Sequence, residues 1–504
     1  MKRTSAFAVF MLGFLPAFTV GAYTYSGKGA PWSDNPYIID VITGPFQSTF
    51  GLAPLRTMHL ARSSLQAWLN VGVGFATHIE FYDTTSRASD VEIEAKTCCD
   101  GDCSQAACLG RTTAFPLNFS DNCAIDLYMN TDVASRYSDD RSASFDLQSI
   151  LTHEFGHCMG LGHPEATQQA QAVMRQKGYE HGAYPKRFPR VDDKTGAQNR
   201  QFVRSAEVRV RERTGGEWTV VGRTSGSVGV ATRRNDEWSL VAFETDHTDP
   251  ADTTSNLAHV FINGQSVGPR CINPNEWTFD GVAVSEDPSG GFSMAYLAAN
   301  DSGEILVVRG IFPSLLGCTS GTRQISGLLS RRRPSLAFDP GTNRLVMSFI
   351  DMDTGQLRFS SSTTANTWRP ATFLNTEWTD TSVAIDCGYW APAQAYRCFT
   401  AFPSADGTHT LRIGEGYINA SGDYVHVGTH VASGFILNAA ADIQIVDGNR
   451  LEIIHGSTLN ARTAYMYVRD CSGTTCSDST APIDSQTLLG PGISRTKLVT
   501  AGGY

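Results

Sequence analysis

Three histidines and one glutamate between residues 153 and 163 have the types and spacing of a metal-dependent hydrolytic site. On a 3.6-residue helix, His153 and His157 are four positions apart and lie on one face, so both rings can reach one metal ion. Gly160 permits a left-handed exit from the helix, after which His163 can turn back to the same ion. Glu154 lies beside the first histidine and is not counted as a ligand.

The chemistry that this set of side chains predicts is that of zinc. Three neutral imidazoles leave the fourth position of a tetrahedral zinc ion for water, whose pKa the ion lowers to about 7. Glu154 can accept the proton of that water during attack on a carbonyl and later deliver it to the leaving amine. We therefore predict one zinc ion held by His153, His157 and His163. The sequence leaves open whether the chain also binds calcium.

The extended segment resembles the signature of the metzincin zinc proteases, H-E-x-x-H-x-x-G-x-x-H followed by a Met-turn. Met174 follows the third histidine, and the resemblance implies that this methionine supports the site from below. Two more segments look like the matrixin branch, the relatives of matrix metalloproteinases. Residues 146–152 would open the active-site helix with Asp146 as its cap, and residues 192–198 would begin the final helix of the domain.

The chain also departs from the family pattern. Pro164 stands where matrixins usually carry serine, and Gln176 stands where serralysins and astacins place a tyrosine after the Met-turn. Tyr179 is a candidate substitute for that tyrosine, as a fifth ligand or an oxyanion donor. No His-rich and Gly-rich loop for a second, structural zinc is found in the sequence. The resemblance therefore implies a compact, matrixin-like variant.

The elements that would position the site begin near residue 37. Residues 37–42 and 75–82 look like strands, and residues 55–71 carry apolar side chains at helical spacing. Residues 124–130 alternate and suit the edge strand of the cleft, where an extended peptide would pair through main-chain hydrogen bonds. Residues 175–185 would form a wall of the specificity pocket. This order matches the family's α+β domain, a twisted mixed sheet with an active-site helix.

Beyond about residue 200, short β-rich runs separated by turn residues continue to the end of the chain. Pairs of runs recur about every fifty residues, a period that is typical of β-propeller blades; they begin near residues 227, 281, 334, 382 and 442. Residues 206–221 offer two more strands that would close the ring against the C-terminal segment. We predict an all-β domain, a propeller of five or six blades, with tandem β-sandwiches as the alternative.

Twelve cysteines, six on each side of residue 200, predict disulfides and an oxidising compartment. Cys158 is expected to staple the active-site helix through a disulfide. Two pairs are close enough in sequence to be hairpin-like, and they are Cys387 with Cys398 and Cys471 with Cys476.

Two other groups of cysteines have more than one interpretation. Residues 98–108 contain four cysteines that could pair or could bind a metal. Residues 268–275 look like the cysteine switch by which matrixin propeptides plug their own zinc, but they follow the catalytic segment rather than precede it. A disulfide between Cys271 and Cys318 is the preferred interpretation.

Residues 1–22 have the charged start, apolar core and small-residue cleavage site of a secretory signal peptide, cut near Ala22. We predict a matrixin-like zinc metalloprotease domain over residues 23–200 and a β-propeller-like domain over residues 201–504. The net charge of −10 argues against a nucleic-acid partner, and no apolar run is long enough to span a membrane. The basic run at residues 330–334 is expected to be a solvated turn.

The sequence thus predicts a secreted, extracellular zinc endopeptidase that hydrolyses protein or peptide substrates by a zinc-activated water, with Glu154 as general base. An alternative is a secreted glycan- or protein-binding propeller with a vestigial zinc site, against which the intact Glu154 argues. A third interpretation, a propeller glycosidase, requires acidic and arginine side chains that converge on the central channel.

Overall fold

The structure is a computed structural model of the 504-residue chain. It describes residues 37–503 with gaps, and the predicted signal peptide lies outside the described residues. Gaps of one or two residues occur at several places. The longer gaps are residues 75–78, 84–89, 98–108, 115–122, 129–136, 139–144, 164–171, 176–188, 190–192, 198–201, 213–218, 225–227, 233–237, 246–255, 274–277, 299–302, 314–320, 352–355, 364–366, 405–409, 437–440, 457–463, 485–491 and 494–497.

The N-terminal part combines helices with short strands. Its described elements are β1 (Tyr37–Val41), α1 (Thr43–Phe50), α2 (Pro54–Asn70), β2 (Val73–Gly74), β3 (Ile79–Tyr82), β4 (Val91–Lys96), β5 (Gly110–Ala114), β6 (Cys123–Tyr128), β7 (Tyr137–Ser138), β8 (Phe145–Asp146) and α3 (Leu147–Cys158). The strand predicted at residues 37–42 and the helix predicted at residues 55–71 are confirmed as β1 and α2. None of the helices in the described part is long and apolar enough to cross a membrane.

One five-stranded sheet, in the order β3-β1-β4-β6-β5, organises this part. The first four strands of that order are parallel, and β5 is antiparallel to β6, with Thr112 opposite Ile125. The strand predicted at residues 124–130 exists as β6, but the prediction that it forms the edge is wrong. β6 lies between β4 and β5 because the short polar segment of residues 110–114 covers its free side.

The apolar sides of α2 and α3 pack against this sheet. Trp68 and Phe155 from the helices and Ile93 and Ile125 from the strands are completely buried. The indole N–H of Trp68 donates a hydrogen bond of 2.8 Å to the carbonyl of Thr152, which ties α2 to α3. Because α3 carries the predicted site, this core sets where the site lies relative to the sheet.

The rest of the chain consists of strands. They are β9 (Phe202–Val203), β10 (Ala206–Glu212), β11 (Thr219–Thr224), β12 (Gly229–Thr232), β13 (Trp238–Glu244), β14 (Leu257–Asn263), β15 (Ser266–Asn273), β16 (Val282–Glu286), β17 (Phe292–Leu297), β18 (Glu304–Ile311), β19 (Thr322–Leu329), β20 (Ser335–Asp339), β21 (Arg344–Ile350), β22 (Gln356–Ser362), β23 (Thr372–Trp378), β24 (Ala384–Trp390), β25 (Ala395–Pro403), β26 (Thr410–Ile418), β27 (Tyr424–Ile436), β28 (Asp442–Val446), β29 (Arg450–Gly456), β30 (Ala464–Ser472), β31 (Thr475–Asp484), β32 (Gly492–Ile493) and β33 (Leu498–Gly503). The short β9 pairs with β2, and the boundary at residue 200 stays a prediction.

These strands form six four-stranded antiparallel sheets within the described residues. Five sheets use consecutive strands, from β12-β13-β14-β15 to β28-β29-β30-β31, and the sixth has the order β11-β10-β33-β32. The first strands of successive sheets contact one another, and β32 contacts both β28 and β12, which closes a ring. The domain is therefore a six-bladed β-propeller, and the alternative of tandem β-sandwiches is wrong. The prediction that residues 206–221 close the ring with the C-terminal segment is confirmed.

The basic run at residues 330–334 differs from its prediction. Ser330 and Arg332 are buried, with exposed fractions of 0% and 2%, and the guanidinium of Arg333 donates to the carbonyl of Val282 at 3.2 Å. The segment connects β19, the outermost strand of one blade, to β20, the innermost strand of the next. A connection that crosses from rim to axis is covered by neighbouring blades, so the prediction of a solvated turn is wrong.

Two disulfides in the propeller confirm predicted hairpin pairs. Cys387 with Cys398 and Cys471 with Cys476 each join directly opposite residues of adjacent strands, with Cα atoms 4.0 Å apart. Cys271 is also disulfide-bonded, so it carries no thiol for a cysteine switch. Cys318 and the four cysteines of residues 98–108 lie outside the described residues.

Candidate metal centre

The helix α3 is fixed at both ends by local sequence. At its start, the Asp146 carboxylate accepts a hydrogen bond of 3.1 Å from the backbone N–H of Ser149, as predicted for a capping residue. At its end, Gly160 has φ of 87°, and the N–H groups of Gly160 and Leu161 donate to the carbonyls of His157 and Gly156. This pattern is a Schellman motif, which reverses the chain and confirms the role predicted for Gly160.

The reversal brings the three predicted histidines together. The Nε2 atom of His163 lies 3.1 Å from the Nε2 of His153 and 3.1 Å from the Nε2 of His157. A tetrahedral zinc ion with Zn–N bonds of about 2.0–2.1 Å requires ligand nitrogens about 3.3 Å apart. The observed spacing therefore fits a zinc ion. Within the described residues, these histidines are the one group of three or more metal-binding side chains.

Backbone carbonyls determine which nitrogen of two rings is available. The Nδ1 atom of His153 donates to the carbonyl of Val173 at 2.8 Å, and that of His157 donates to the carbonyl of Leu161 at 2.7 Å. Since a carbonyl can only accept, each Nδ1 carries the proton and each Nε2 presents its lone pair. Burial also lowers the pKa of His157, which favours the neutral imidazole that a metal requires.

Met174 packs directly beneath α3. A Cβ atom built on Gly156 would overlap the sulfur of Met174 and lie 2.9 Å from the ring of Trp68, so a larger residue at this turn of the helix would displace both side chains. Met174 itself is 3% exposed. This placement agrees with the support predicted for Met174, whose effect on the metal site stays a prediction.

Asp193 is a residue whose role the sequence analysis did not identify. Its carboxylate accepts hydrogen bonds from the backbone N–H of Val173 at 2.8 Å and from that of Met174 at 3.1 Å. The carbonyl of Val173 in turn holds the ring of His153. Asp193 therefore links the final segment of the domain to a predicted ligand through the Met-turn. The sequence signal was the segment of residues 192–198, read only as the start of a helix.

We expect Asp193→Ala to lower the free energy of unfolding by about 2 kcal/mol, because it leaves buried backbone N–H groups without their acceptor. Zinc affinity should fall by up to about 10-fold, the lower end of the cost of losing a direct contact to a ligand, because Asp193 acts on His153 only through Val173. Urea denaturation and competition with a zinc-binding dye measure the two effects. Asp193→Asn, which keeps one acceptor oxygen, should be intermediate, and an alanine variant with wild-type stability and affinity would contradict this role.

Glu154 lies against the edge strand β5. It is 4% exposed, and its carboxylate accepts a hydrogen bond of 2.6 Å from the hydroxyl of Thr112. Burial raises the pKa of Glu154 to about 7, although the hydrogen bond from Thr112 acts in the opposite direction. A cation held by the three histidines would lower this pKa again. With the ion bound, Glu154 would therefore be more readily ionised near neutral pH, as a general base requires.

One family model matches the N-terminal part of the chain. Residues 47–200 match the family model described as Peptidase_M10, matrixin. The N-terminal domain is matrixin-like. The matched segment contains α2, α3 and the Met-turn. It also contains every strand of the five-stranded sheet except β1. No curated protein matches the chain.

Solved structures similar to the chain include a mutant of AofleA, a fungal lectin and a bacterial lectin. AofleA from Arthrobotrys oligospora is 10% identical over 54% of this chain and 81% of its own, with a TM-score of 0.38. The Aleuria aurantia lectin, described as a six-bladed β-propeller, is 13% identical in one crystal structure over 56% of this chain and 90% of its own, with a TM-score of 0.37. These scores are low, so the propeller assignment rests on the ring of sheets described above.

Several predictions for the matrixin-like domain concern residues that the structure does not describe. They are the departures at Pro164 and Gln176, the candidate ligand Tyr179 and most of the pocket wall at residues 175–185. Of the segment at residues 192–198, Asp193, Gly196 and Ala197 are described and have helical backbone, which agrees with the predicted start of a helix.

Proposed function

We propose that this protein is a secreted zinc endopeptidase. The observation that carries the proposal is the convergence of three Nε2 atoms, two of them on rings oriented by carbonyls, beside a buried glutamate. A site that served only to hold the fold together would not require Glu154 next to its ligands. The matrixin match supports a metalloprotease, and the three described disulfides fit an oxidising compartment.

In this proposal His153, His157 and His163 would hold the ion, and Glu154 would move the proton. A bound zinc ion supplies Lewis acidity, which polarises a carbonyl and lowers the pKa of water. Glu154 would accept a proton from the attacking water and return it to the nitrogen of the departing amine. The buried Asp146 cap and the Schellman turn keep α3 rigid, so the ligands and Glu154 keep their relative positions.

The edge strand β5 is the proposed place for the substrate backbone. Among the described strands, β5 is paired on one side only, with β6, so its other edge can hydrogen-bond to an extended peptide. Because Glu154 lies against β5, a peptide added to this edge would lie close to the proposed base. In this proposal β5, rather than the predicted segment of residues 124–130, has the substrate-pairing role, because β6 is not at the edge of the sheet.

The proposal is tested with the purified mature chain, which begins after the predicted cleavage near Ala22, and a mixed peptide library. Cleavage should stop after dialysis against a chelator and return when one equivalent of zinc is added, with internal peptide bonds cut rather than terminal ones. Mass spectrometry of the products maps the sites. Cleavage that persists after the zinc content has fallen below a few per cent would contradict the proposal.

The glycosidase interpretation finds little support in the centre of the propeller. A cavity of about 80 Å³ there is lined by Glu286, Arg333, Asp386 and Asp442 among other residues. This volume is well below the roughly 300–1,000 Å³ that pockets for small ligands occupy. The two carboxylate oxygens of Asp386 accept hydrogen bonds from the backbone N–H groups of Cys387 and Ile445, which is a structural use. Glycan or protein binding by the propeller stays a prediction.

A further inference from the structure

The hydroxyl of Thr112 makes two contacts with the proposed base. It donates to the Oε2 atom of Glu154 at 2.6 Å and lies 3.1 Å from the backbone carbonyl of the same residue. Both partners belong to α3, whereas Thr112 belongs to β5, the edge strand of the sheet. Because a hydroxyl has one proton to donate, Thr112 holds the carboxylate of Glu154 through the shorter hydrogen bond and contacts the backbone of the same residue.

Gly110 provides the space for the other carboxylate oxygen. A Cβ atom at this position would lie 2.6 Å from the Oε1 of Glu154 and 3.1 Å from its Cγ and Cδ atoms. The strand backbone thus contacts one side of the carboxylate, and the hydroxyl of Thr112 holds the other. The carboxylate is therefore held at Oε2 by a hydrogen bond, and the space beside Oε1 is large enough only while residue 110 has no side chain.

Successive side chains of β5 point to opposite faces of the sheet, and only one of these faces is next to Glu154. Gly110 and Thr112 are two residues apart and face α3, whereas Arg111 and Thr113 point to the opposite face. Thr112 is β-branched, so few rotamers are open to it and its hydroxyl is held in place by the backbone. A valine at this position would keep the shape and lose the hydrogen bond.

We propose that Thr112 is a positioning residue for Glu154 and that Gly110 provides the required clearance. The inference rests on the proposed peptidase function. A glutamate has three side-chain torsions, and a base that is displaced by about 1 Å can lose roughly 100-fold in rate. The hydroxyl of Thr112 holds the carboxylate against the strand that would also pair with the substrate. The backbone of the substrate and the carboxylate of Glu154 would therefore both be positioned by β5.

The test compares three variants of the zinc-loaded, full-length protein. Thr112→Val should lower kcat about 10- to 100-fold with KM within about two-fold of wild type, since the position of the base is lost and the peptide edge is kept. Thr112→Ser should restore kcat to within about three-fold, because it returns the hydroxyl. Thr219→Val, the same change at an exposed position of the propeller strand β11, is the matched control and should behave as wild type. Zinc content should be unchanged in all three.

Gly110→Ala provides an independent route to the same conclusion. Its methyl group would displace the carboxylate of Glu154, so kcat should fall by a similar factor while zinc content is kept. Wild-type kcat in Thr112→Val, or an equal loss in the serine and valine variants, would overturn the proposal. The first result would mean that the hydrogen bond is unused, and the second that Thr112 acts through packing.

A denaturation cycle separates this inference from the peptidase proposal. In the zinc-free protein, Thr112→Val should lower the urea midpoint when Glu154 is present and have a much smaller effect in a Glu154→Ala background. Equal shifts in the two backgrounds would overturn the proposed contact. If the wild-type protein cleaves no peptide, the proposed function fails, and this cycle still decides whether Thr112 holds Glu154.

Discussion

Replacing Glu154 by glutamine is expected to reduce kcat/KM at least about 100-fold, the usual scale of a general-base effect. The amide has nearly the same shape and can still accept a hydrogen bond from Thr112, but it cannot take a proton. Zinc content should remain at wild-type level because the proposed ligands are the three histidines and Glu154 is not one of them. Initial rates on a peptide identified from the library, together with metal analysis, measure both quantities.

A suitable control for this substitution is Glu92→Gln. Glu92 lies on β4, two strands away from the edge strand, and undergoes the same change of charge. It should leave kcat/KM within about two-fold of wild type, since it lies outside the proposed machinery. Turnover close to wild type in Glu154→Gln would refute the role of Glu154 as base, even if the protein proves to be a zinc peptidase.

Removing the Cys123–Cys158 disulfide is expected to cost about 4 kcal/mol of stability by the chain-entropy relation. The bond joins β6 to the last residue of α3 and spans 35 positions of sequence. The double variant Cys123→Ala, Cys158→Ala also frees the end of the helix that carries His157. We expect a lower urea midpoint, followed by circular dichroism, and weaker zinc binding.

The pair Cys471 and Cys476 provides the comparison. It spans only five positions within one hairpin, so the same relation gives about 2 kcal/mol for its removal. The double alanine variant at this pair should leave zinc binding unchanged, because the bond lies in the propeller. Equal losses of stability and of zinc affinity in the two double variants would show that the Cys123–Cys158 bond has no special relation to the metal centre.

The helix of the metal centre was predictable because its signals are local. Spacing of four residues placed His153 and His157 on one face, Asp146 indicated the start, and Gly160 indicated the reversal. Each of these features acts within one or two turns of helix, so a sequence reveals it directly. The convergence of His163 followed from the reversal.

The contacts around that helix were not predictable, since they depend on tertiary structure. β5 has the sequence G-R-T-T-A, which lacks the apolar alternation of a half-buried strand, and it exists through its pairing with β6. The contact between Thr112 and Glu154 crosses 42 positions, and that between Asp193 and Met174 crosses 19. No periodicity connects residues at such separations.

The propeller shows the same division between local and distant signals. The recurring runs correspond to the two innermost strands of each blade, such as β16 and β17, which are buried on both faces and therefore apolar. Outer strands carry weaker patterns; in β19, exposed and half-buried residues alternate without a buried one. The sequence therefore indicated a repeat of about fifty residues but left the count at five or six blades.

The pairing of β10 with β33 has a consequence for biosynthesis. Glu207 lies opposite Gly503, so the sixth sheet needs both ends of the propeller segment at once. During translation the ring cannot close until residues 498–503 have been synthesised. The residues of the metal centre, in contrast, are all present once Asp193 has been made. A proteolytic cut between β31 and β32 would leave β32 and β33 held in the ring by non-covalent contacts alone, and the closure of the other five blades would then depend on those contacts.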